Sequence, residues 1–408
     1  MPAAARDVEF LLSGRGRDAL EAARASRGEE PLARRARLDR GFTAEEARAA
    51  LAQDDLRVRA AAKTPLADRL LFTRDALEQA SPAPVALDRA RRFAGFRVVA
   101  DLGAGVGLDA IALASIGARV IAVERDPERA ALLRHNVGAA GVLGSIEVVT
   151  GDFVVEPPSA DAAFLDPDRR PGGRRTRDAA ATEPPPDVWR AVVARYRAAI
   201  VKLAPATRLG QVPGTGLEWV SLDGTMREAR AGFGALALAA PRRALVLPSG
   251  AAIEGVGAPW PEARAPQPGD VLLDPDPAIV LAGLVGEAAA EAGARPVHPR
   301  IAYLLGEREA PWARCVRVEE VLPASPAAVS KRLRALGVGA VEVLSRGVDE
   351  TVDAWRRSLA LEGDRSATLV RARGPDDRYF VVLGGGGGGG APPVGGGAGT
   401  SRRPAPMP

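Results

Sequence analysis

The sequence predicts an α/β fold in which a doubly wound, mostly parallel sheet follows an N-terminal helical segment and precedes a small C-terminal α/β unit. From residue 97 onward, short apolar runs alternate with helical segments. This alternation is typical of parallel strands joined by crossover helices. A chain of 408 residues is also long for a single hydrophobic core, so we expect two or three domains.

Residues 1–92 are expected to form the N-terminal helical region. This stretch is rich in Ala, Leu, Arg and Glu and shows no strand alternation. A capping box is expected at Thr43, whose hydroxyl can accept from the Glu46 amide while the Glu46 carboxylate reaches back. A later helix is predicted from Pro84 to Gly95, since Pro favours the first helical turn and Gly favours the end.

Residues 93–250 are expected to form the sheet domain. Short apolar runs predict buried strands at 98–102, 120–124, 146–150, 162–165, 199–203, 219–222 and 244–247. Helices are predicted between them at 108–116, 127–140 and 187–197.

Three further regions are expected after the sheet domain. Residues 251–299 begin with dense Pro and Gly, so they are expected to form a linker and then a helix from about Asp274 to Ala292. Residues 300–383 are expected to form a small α/β unit that ends in a hairpin. Residues 384–408 are almost all Gly and Pro at first; they cannot bury a core and are expected to be disordered.

The composition argues against several classes of protein. Cys315 is the single cysteine and only His135 and His298 are present, so a disulfide framework is excluded and no metal site is expected. No apolar run reaches about 18 residues, so no membrane span is expected. The first nine residues lack the apolar core of a signal peptide, and a cytoplasmic location is expected. A net charge of +4 permits an anionic partner without requiring one.

The clearest motif is Asp101-Leu102-Gly103-Ala104-Gly105-Val106-Gly107, placed where the first predicted strand turns into a helix. Glycines there allow a tight bend and a close approach of the backbone to a ligand. A dinucleotide site would place a third glycine at position 108, which is Leu108 here. Asp101 would repel a pyrophosphate but suits the cationic amino acid end of S-adenosylmethionine. The motif therefore favours S-adenosylmethionine over a dinucleotide.

The next two strand ends carry further candidate cofactor residues. Glu124 ends the second predicted strand, where a carboxylate can accept both hydroxyls of a ribose. Arg125 follows it and opens the next helix. Asp152 and Phe153 end the third strand, where the carboxylate could bind an adenine amino group and the ring could pack on the adenine face.

On these residues the chain resembles the class I methyltransferases over about 93–250. Asp101, Gly103 and Gly105 match the glycine motif of that family, Glu124 its ribose acid and Asp152 its adenine acid. The resemblance implies a Rossmann-like sheet and S-adenosylmethionine as the methyl donor.

Asp166 and Pro167 are the candidate catalytic residues, because they end the fourth predicted strand, which in this fold faces the reacting methyl group. Many nitrogen methyltransferases carry Asp or Asn, two prolines and an aromatic residue here. Asp168 and Arg169 depart from that pattern, so stacking of a flipped base at this position is not expected. Direct transfer is predicted, with Asp166 accepting a hydrogen bond from a nucleophilic N–H.

Two neighbouring segments have uncertain roles. Asp168 and the arginine-rich loop that follows it could bind substrate phosphates, or the loop could be solvated; its candidate residues are Arg169, Arg170, Arg174 and Arg175. Upstream, Thr73 and Gln79 could contact the methionine end of the cofactor, or Thr73 could cap a helix and Gln79 could be exposed.

The whole chain, over about 40–384, resembles a bacterial methyltransferase family that carries a C-terminal THUMP-like domain. The likeness lies in the motifs above and in Phe72-Thr-Arg74, Val201-Lys-Leu-Ala-Pro205, Glu218-Trp-Val-Ser221 and Ile301-Ala-Tyr-Leu304. THUMP domains belong to RNA-modifying enzymes, so the resemblance implies RNA as a partner, with Arg356, Arg357, Arg371 and Arg373 as candidate phosphate contacts. A small-molecule or protein substrate, or cofactor binding without turnover, stays open, as does the oligomeric state.

Overall fold

The computed structural model describes residues 3–168 and 182–384. They fall into two compact units. The first unit comprises Met1–Pro259 and Asp276–Ala288, and the second comprises Trp260–Pro275 and Ala289–Pro408. In the described ranges, no helix has the length and apolar character that a bilayer crossing requires.

Helices occupy the N-terminal region, as expected. They are α1 Ala3–Leu12, α2 Gly14–Ala25, α3 Pro31–Leu38, α4 Ala44–Ala60, α5 Arg74–Gln79 and α6 Ala83–Arg91. The capping box predicted at the start of α4 is confirmed, because the Thr43 hydroxyl accepts from the Glu46 amide and the Glu46 carboxylate accepts from the Thr43 amide. Such reciprocal bonds satisfy two amides that otherwise lack partners at a helix start.

A nine-stranded sheet forms the centre of the first unit. Its elements in chain order are β1 Val98–Leu102, α7 Leu108–Ser115, β2 Arg119–Glu124, α8 Pro127–Ala140, β3 Ile146–Thr150, β4 Ala162–Leu165, α9 Pro186–Val193, β5 Ala198–Leu203, β6 Leu217–Leu222, β7 Thr225–Gly234, β8 Arg242–Leu247 and β9 Ala251–Gly255. The strand order is β3-β2-β1-β4-β5-β7-β6-β8-β9. β1 to β5 pair in parallel, while β7 is antiparallel to both β5 and β6.

The central strands are buried because their side chains are apolar and helices cover them. Val99, Val120 and Phe164 from β1, β2 and β4 pack with Leu113 of α7 and Leu133 of α8 in one core cluster. Near-continuous apolar runs of this kind are what a parallel sheet covered on both faces requires. The predicted strands at 98–102, 146–150 and 162–165 therefore match the observed bounds.

β7 was not predicted from the sequence, and its charge explains why. Glu228 and Arg230 lie in the middle of the strand and are both buried. The two side chains form an ion pair with each other, and Glu228 also pairs with Arg89. A buried strand that carries ion pairs lacks the apolar pattern by which strands are recognised.

A fully buried asparagine joins the N-terminal helices to the glycine loop. The Asn136 side chain on α8 accepts from the Leu71 amide at 2.8 Å and donates to the Leu71 carbonyl at 2.8 Å. It also donates to the Val106 carbonyl at 2.9 Å. The segment before α5 is thus attached to the loop between β1 and α7.

The second unit contains a seven-stranded sheet of order β11-β12-β10-β13-β16-β15-β14. Its elements are β10 Val271–Pro275, β11 Arg295–His298, β12 Ile301–Gly306, β13 Ala313–Pro323, α12 Pro326–Ala335, β14 Val338–Ser345, α13 Val352–Arg357, β15 Arg365–Arg373 and β16 Tyr379–Gly384. The strands and helices predicted after residue 313 are present, including the hairpin of β15 and β16. The predicted disordered tail, 384–408, lies outside the described residues apart from Gly384.

The stretch 251–299, expected to hold a linker and then one helix, also contains three strands. β9 adds a strand to the first sheet, and β10 and β11 belong to the second. The predicted helix divides into α10, Pro277–Ala282, and α11, Val285–Glu291, at Gly283, whose φ is +69°. Prolines and glycines flank short apolar strands in this stretch, and their density concealed those strands.

Candidate active site

A cavity of about 340 Å³ opens at the carboxyl ends of β1, β2 and β4. The strand order reverses between β1 and β4, and in open α/β sheets ligands bind outside such a switch point. The glycine loop 103–107 forms part of the wall, and the end of α5 contributes Ala76, Gln79 and Ala80. The residues that line this cavity therefore come from segments that lie far apart in the chain.

Glycine is required in this loop by backbone geometry. Gly103 has φ +85° and Gly105 has φ +57°, in the left-handed region that favours glycine. A Cβ at Gly103 would lie 3.4 Å from the Asp166 carbonyl oxygen, which is a tight contact. The Gly103 and Ala104 amides both donate to the Val123 carbonyl, at 3.0 and 2.9 Å. The loop is thus held against the end of β2 with its backbone facing the cavity.

Glu124 holds the glycine loop by a hydrogen bond to the backbone. Its carboxylate is buried, with Oε2 accepting from the Gly105 amide and Oε1 accepting from the Asp126 amide, each at 2.9 Å. Each carboxylate oxygen can accept more than one hydrogen bond. Glu124 also lines the cavity, so it retains capacity to accept from ligand hydroxyls.

Asp101 lies at the end of β1 and is fully buried. Among the described residues, neither of its carboxylate oxygens has a hydrogen-bond donor. Burial, followed by the nearby negative charge of Asp109, raises the pKa of Asp101 well above its usual range. An unpaired buried carboxylate is costly and calls for an explanation. Asp101 is not among the residues that line the cavity, whereas Gly103 and Ala104, two and three positions later, are.

The rim of the cavity carries the other predicted cofactor residues. Asp152 is exposed, and its Oδ1 accepts from the Val154 amide at 2.8 Å. Phe153 is half-buried beside Gly103. Arg125 is exposed and pairs with Glu183 at 2.8 Å. All four side chains line the same cavity.

Asp166 follows β4 and lines the same cavity. The Lys202 ammonium donates to Asp166 Oδ2 at 2.5 Å and to the Gln79 carbonyl at 3.0 Å. The Gln79 amide nitrogen donates to Asp168 Oδ1 at 3.3 Å. Pro167 between the two acids is buried. The structure thus brings the predicted catalytic acid, Asp168 and Gln79 together.

The sequence analysis missed three charged residues of this region. Lys202 is buried in β5, and a lysine inside an apolar strand requires a partner, which was the available signal. Arg89, fully buried, pairs with Asp109 and with Glu228, and its guanidinium lies 4.4 Å from the centre of the Phe164 ring. Asp109 lines the cavity in the first turn of α7.

Thr73 lies outside the cavity lining. Its hydroxyl accepts from the Ala76 amide at 3.1 Å and caps α5, so the structure supports the capping interpretation. The candidate substrate arginines Arg169, Arg170, Arg174 and Arg175 lie outside the described residues. Within the described residues, no group of His, Cys, Asp and Glu is arranged to hold a metal ion.

Comparisons with known proteins are consistent with this architecture. The sequence profile of the family described as THUMP domain-like matches residues 313–384. A crystal structure from Porphyromonas gingivalis W83, provisionally named a methyltransferase, superimposes with a TM-score of 0.72. The alignment covers 90% of this chain and 98% of that chain at 22% identity, which shows a shared fold. The sheet and cavity thus define a Rossmann-like methyltransferase fold.

Sequence similarity identifies the family. Two proteins from Mycobacterium tuberculosis strains CDC 1551 and H37Rv, both named uncharacterized S-adenosylmethionine-dependent methyltransferases, are 38% identical to this chain over 312 residues. The match covers 74% of this chain and 84% of each relative. The chain therefore belongs to the S-adenosylmethionine-dependent methyltransferases.

Proposed function

We propose that this enzyme transfers a methyl group from S-adenosylmethionine to a nitrogen atom of RNA, with Asp166 as the catalytic residue. The observation that carries the proposal is the placement of Asp166 at the end of β4, fixed by Lys202 at one end of the cavity. The glycine loop and the buried Glu124 line other parts of this cavity.

One orientation of the cofactor would match the residues in and beside the cavity. Glu124 would accept from the ribose hydroxyls, and Asp152 with Phe153 would contact the adenine. Asp101 is a buried carboxylate without a donor among the described residues, and it would compensate the positive charge at the methionine end. The backbone could approach the cofactor closely at Gly103, Ala104 and Gly105. Contacts from the walls of the cavity would come from Gln79 and Arg125.

The reaction proposed for Asp166 is a direct transfer. S-adenosylmethionine supplies an electrophilic methyl group on a positively charged sulfur. The nitrogen lone pair forms the new N–C bond as the C–S bond breaks, and the sulfur keeps that electron pair. Lys202 occupies Asp166 Oδ2, so Oδ1 would accept the hydrogen bond from the attacking N–H and then its proton. Pro167 is buried between the two acids. Alignment of the nucleophile by Asp166 can contribute about 7–11 kcal/mol in ideal cases.

RNA is favoured as the substrate by the C-terminal unit. Residues 313–384 match a THUMP-like profile, and THUMP domains occur in RNA-modifying enzymes. Arg371 and Arg373 are weaker candidates for phosphate contact, because Arg371 pairs with Glu350 and Arg373 with Asp349. Arg356 and Arg357 are exposed at the end of α13 and are better placed to meet a phosphate backbone.

The proposal is tested with tritium-labelled S-adenosylmethionine and fractionated cellular RNA. We expect the wild-type protein to label one RNA fraction, and Asp166→Asn to lose the label while it still binds the cofactor. Asp187→Asn is the matched control, because Asp187 is exposed in the first turn of α9 and lies outside the cavity lining. Label that enters protein or small molecules but no RNA would contradict the RNA substrate. Full activity of Asp166→Asn would contradict the catalytic role.

A further inference from the structure

The carboxyl end of α5 has an unusual cap. Carbonyl groups at a helix end lack partners within the helix and are normally satisfied by solvent or a following turn. Here two lysine side chains donate hydrogen bonds to these carbonyl groups. The Lys63 ammonium donates to the carbonyl oxygens of Leu77 at 2.6 Å, Glu78 at 3.1 Å and Ala80 at 2.8 Å. Lys202 donates to the remaining carbonyl, that of Gln79, at 3.0 Å.

We propose that Lys63 is a positioning residue of the methyltransferase, which fixes the carboxyl end of α5 as a wall of the cofactor cavity and, through Lys202, holds that wall in register with Asp166. Lys63 does not line this cavity, so it acts through α5. The inference rests on the cofactor site proposed above.

The position of α5 depends on tertiary contacts. With six residues, α5 is too short to be stable by itself. Its start is capped by Thr73 and its Leu77 side chain is buried. At its other end the helix dipole favours positive charge, which the two ammonium groups provide. Burial lowers the pKa of Lys63 to about 8, so the side chain remains mainly charged at neutral pH.

Lys63 itself is fixed by the neighbouring chain. Its carbonyl accepts from the Ala83 amide at 2.6 Å, which attaches it to the start of α6. Its ammonium is half-buried and faces Lys202, Arg227, Glu78 and Arg59. The ammonium is therefore fixed by its contacts, whereas most lysine side chains are solvated at the protein surface.

Three hydrogen bonds connect the capped end of α5 to Asp166 and Asp168, the two acids that follow β4. Lys202 bonds both the Gln79 carbonyl and Asp166 Oδ2, and the Gln79 side chain bonds Asp168. Ala76, Gln79 and Ala80 line the cavity. A displacement of α5 would therefore change both the cofactor wall and the position of Asp166.

The test measures cofactor binding, so it does not depend on the identity of the substrate. The dissociation constant for S-adenosylmethionine is measured by calorimetry for the wild type, Lys63→Met, Lys63→Arg and Arg59→Met. We expect Lys63→Met to weaken binding about tenfold, the size of change that a charged helix cap can cause, and Lys63→Arg to restore most of the affinity. Arg59→Met is the matched control, because Arg59 is an exposed neighbour that only approaches Glu78 at 3.9 Å, and its affinity should match the wild type.

Hydrogen exchange of residues 73–80 provides a second readout. In Lys63→Met this segment should exchange faster while the β1–β5 core is unchanged. If that variant fails to fold, the wild type decides the question: S-adenosylhomocysteine should slow exchange at 73–80, and unchanged exchange would overturn the proposal. Wild-type affinity in Lys63→Met would also overturn it and would leave the proposed function intact. A wild type that binds no cofactor would remove the cofactor site and this inference together.

Discussion

Asp101 is a buried acid, and burial disfavours its ionised form unless a cation binds nearby. Burial and the neighbouring Asp109 raise its pKa well above the usual range, so the carboxyl group keeps its proton to a higher pH than an ordinary aspartic acid does. A cationic ligand favours the ionised form. We expect S-adenosylmethionine binding to release a proton from Asp101 and to tighten as the pH rises toward that raised pKa.

Calorimetry in two buffers of different ionisation enthalpy measures this release. The apparent binding enthalpy should differ between the buffers for the wild type and agree for Asp101→Asn, whose amide does not titrate. Equal enthalpies for the wild type in both buffers would show that binding exchanges no proton, which would contradict this prediction.

Acidic residues of the site were easier to predict than basic ones. Asp101, Glu124 and Asp166 each end a strand at the carboxyl edge of the sheet, so the strand pattern alone places them near one another. Lys202 was marked only by its place inside an apolar strand. Lys63 carries no such signal, because a lysine is usually solvated and its partners here are backbone carbonyls. Such contacts depend on the tertiary fold and leave no pattern in the sequence.

At the scale of elements, β7 is attached to the sheet by buried charge. Glu228 pairs with Arg89 from α6 and with Arg230 in its own strand. Burial alone would raise the pKa of Glu228, but the two guanidinium groups outweigh it and lower that pKa to about 2. Arg230 continues the network to Glu218 on β6 at 3.0 Å and to Asp88 on α6 at 2.6 Å.

Glu228→Gln should therefore lower the free energy of unfolding by roughly 3 kcal/mol, the low end for breaking a buried ion pair. The variant removes the counter-charge that Arg89 and Arg230 share, while Arg89 keeps Asp109 and Arg230 keeps Glu218 and Asp88. Glu320→Gln is the control; Glu320 pairs with Arg332 at 2.6 Å in an exposed setting, and its loss should cost less than about 1 kcal/mol. Urea denaturation at neutral pH measures both. Similar small losses in the two variants would show that the buried network adds no net stability.

The pH dependence of this contribution has a defined sign. The pKa of Glu228 is lower in the folded chain than its ordinary value of 4.5, so the folded state binds that proton less well. The stabilisation is present in full above pH 4.5 and is lost as the pH falls toward 2. Over that acidic range, the stability difference between the wild type and Glu228→Gln should therefore shrink.

At the scale of the whole molecule, the sequence predicted the first sheet better than the division into units. The parallel strands are long apolar runs separated by helices, and they were found at nearly the observed bounds. The second sheet begins at Val271, inside the stretch 251–299 that was expected to hold a linker and a helix. Its first strands are four to six residues long between prolines and glycines, so pairing with distant strands, which no local pattern reveals, determines their structure.

RNA binding by the C-terminal unit should depend on salt. Phosphate contacts release counterions, and each contact to single-stranded RNA contributes about 0.7 to the slope of log affinity against log salt concentration. Replacement of both Arg356 and Arg357 by alanine should weaken RNA binding and lower this slope by about 1.4. Arg119→Ala is the control, because Arg119 begins β2 at the opposite edge of the sheet from the cavity. Equal slopes for the wild type and the double variant would exclude these two arginines as phosphate contacts.

The most direct test of the cofactor site is a crystal structure of the protein with S-adenosylhomocysteine. We expect the ligand in the cavity between the glycine loop and Asp166, with its ribose hydroxyls bonded to Glu124, its adenine against Phe153 and its sulfur toward Asp166. Electron density for the ligand at any other place, or a ribose that does not contact Glu124, would rule out this cofactor site.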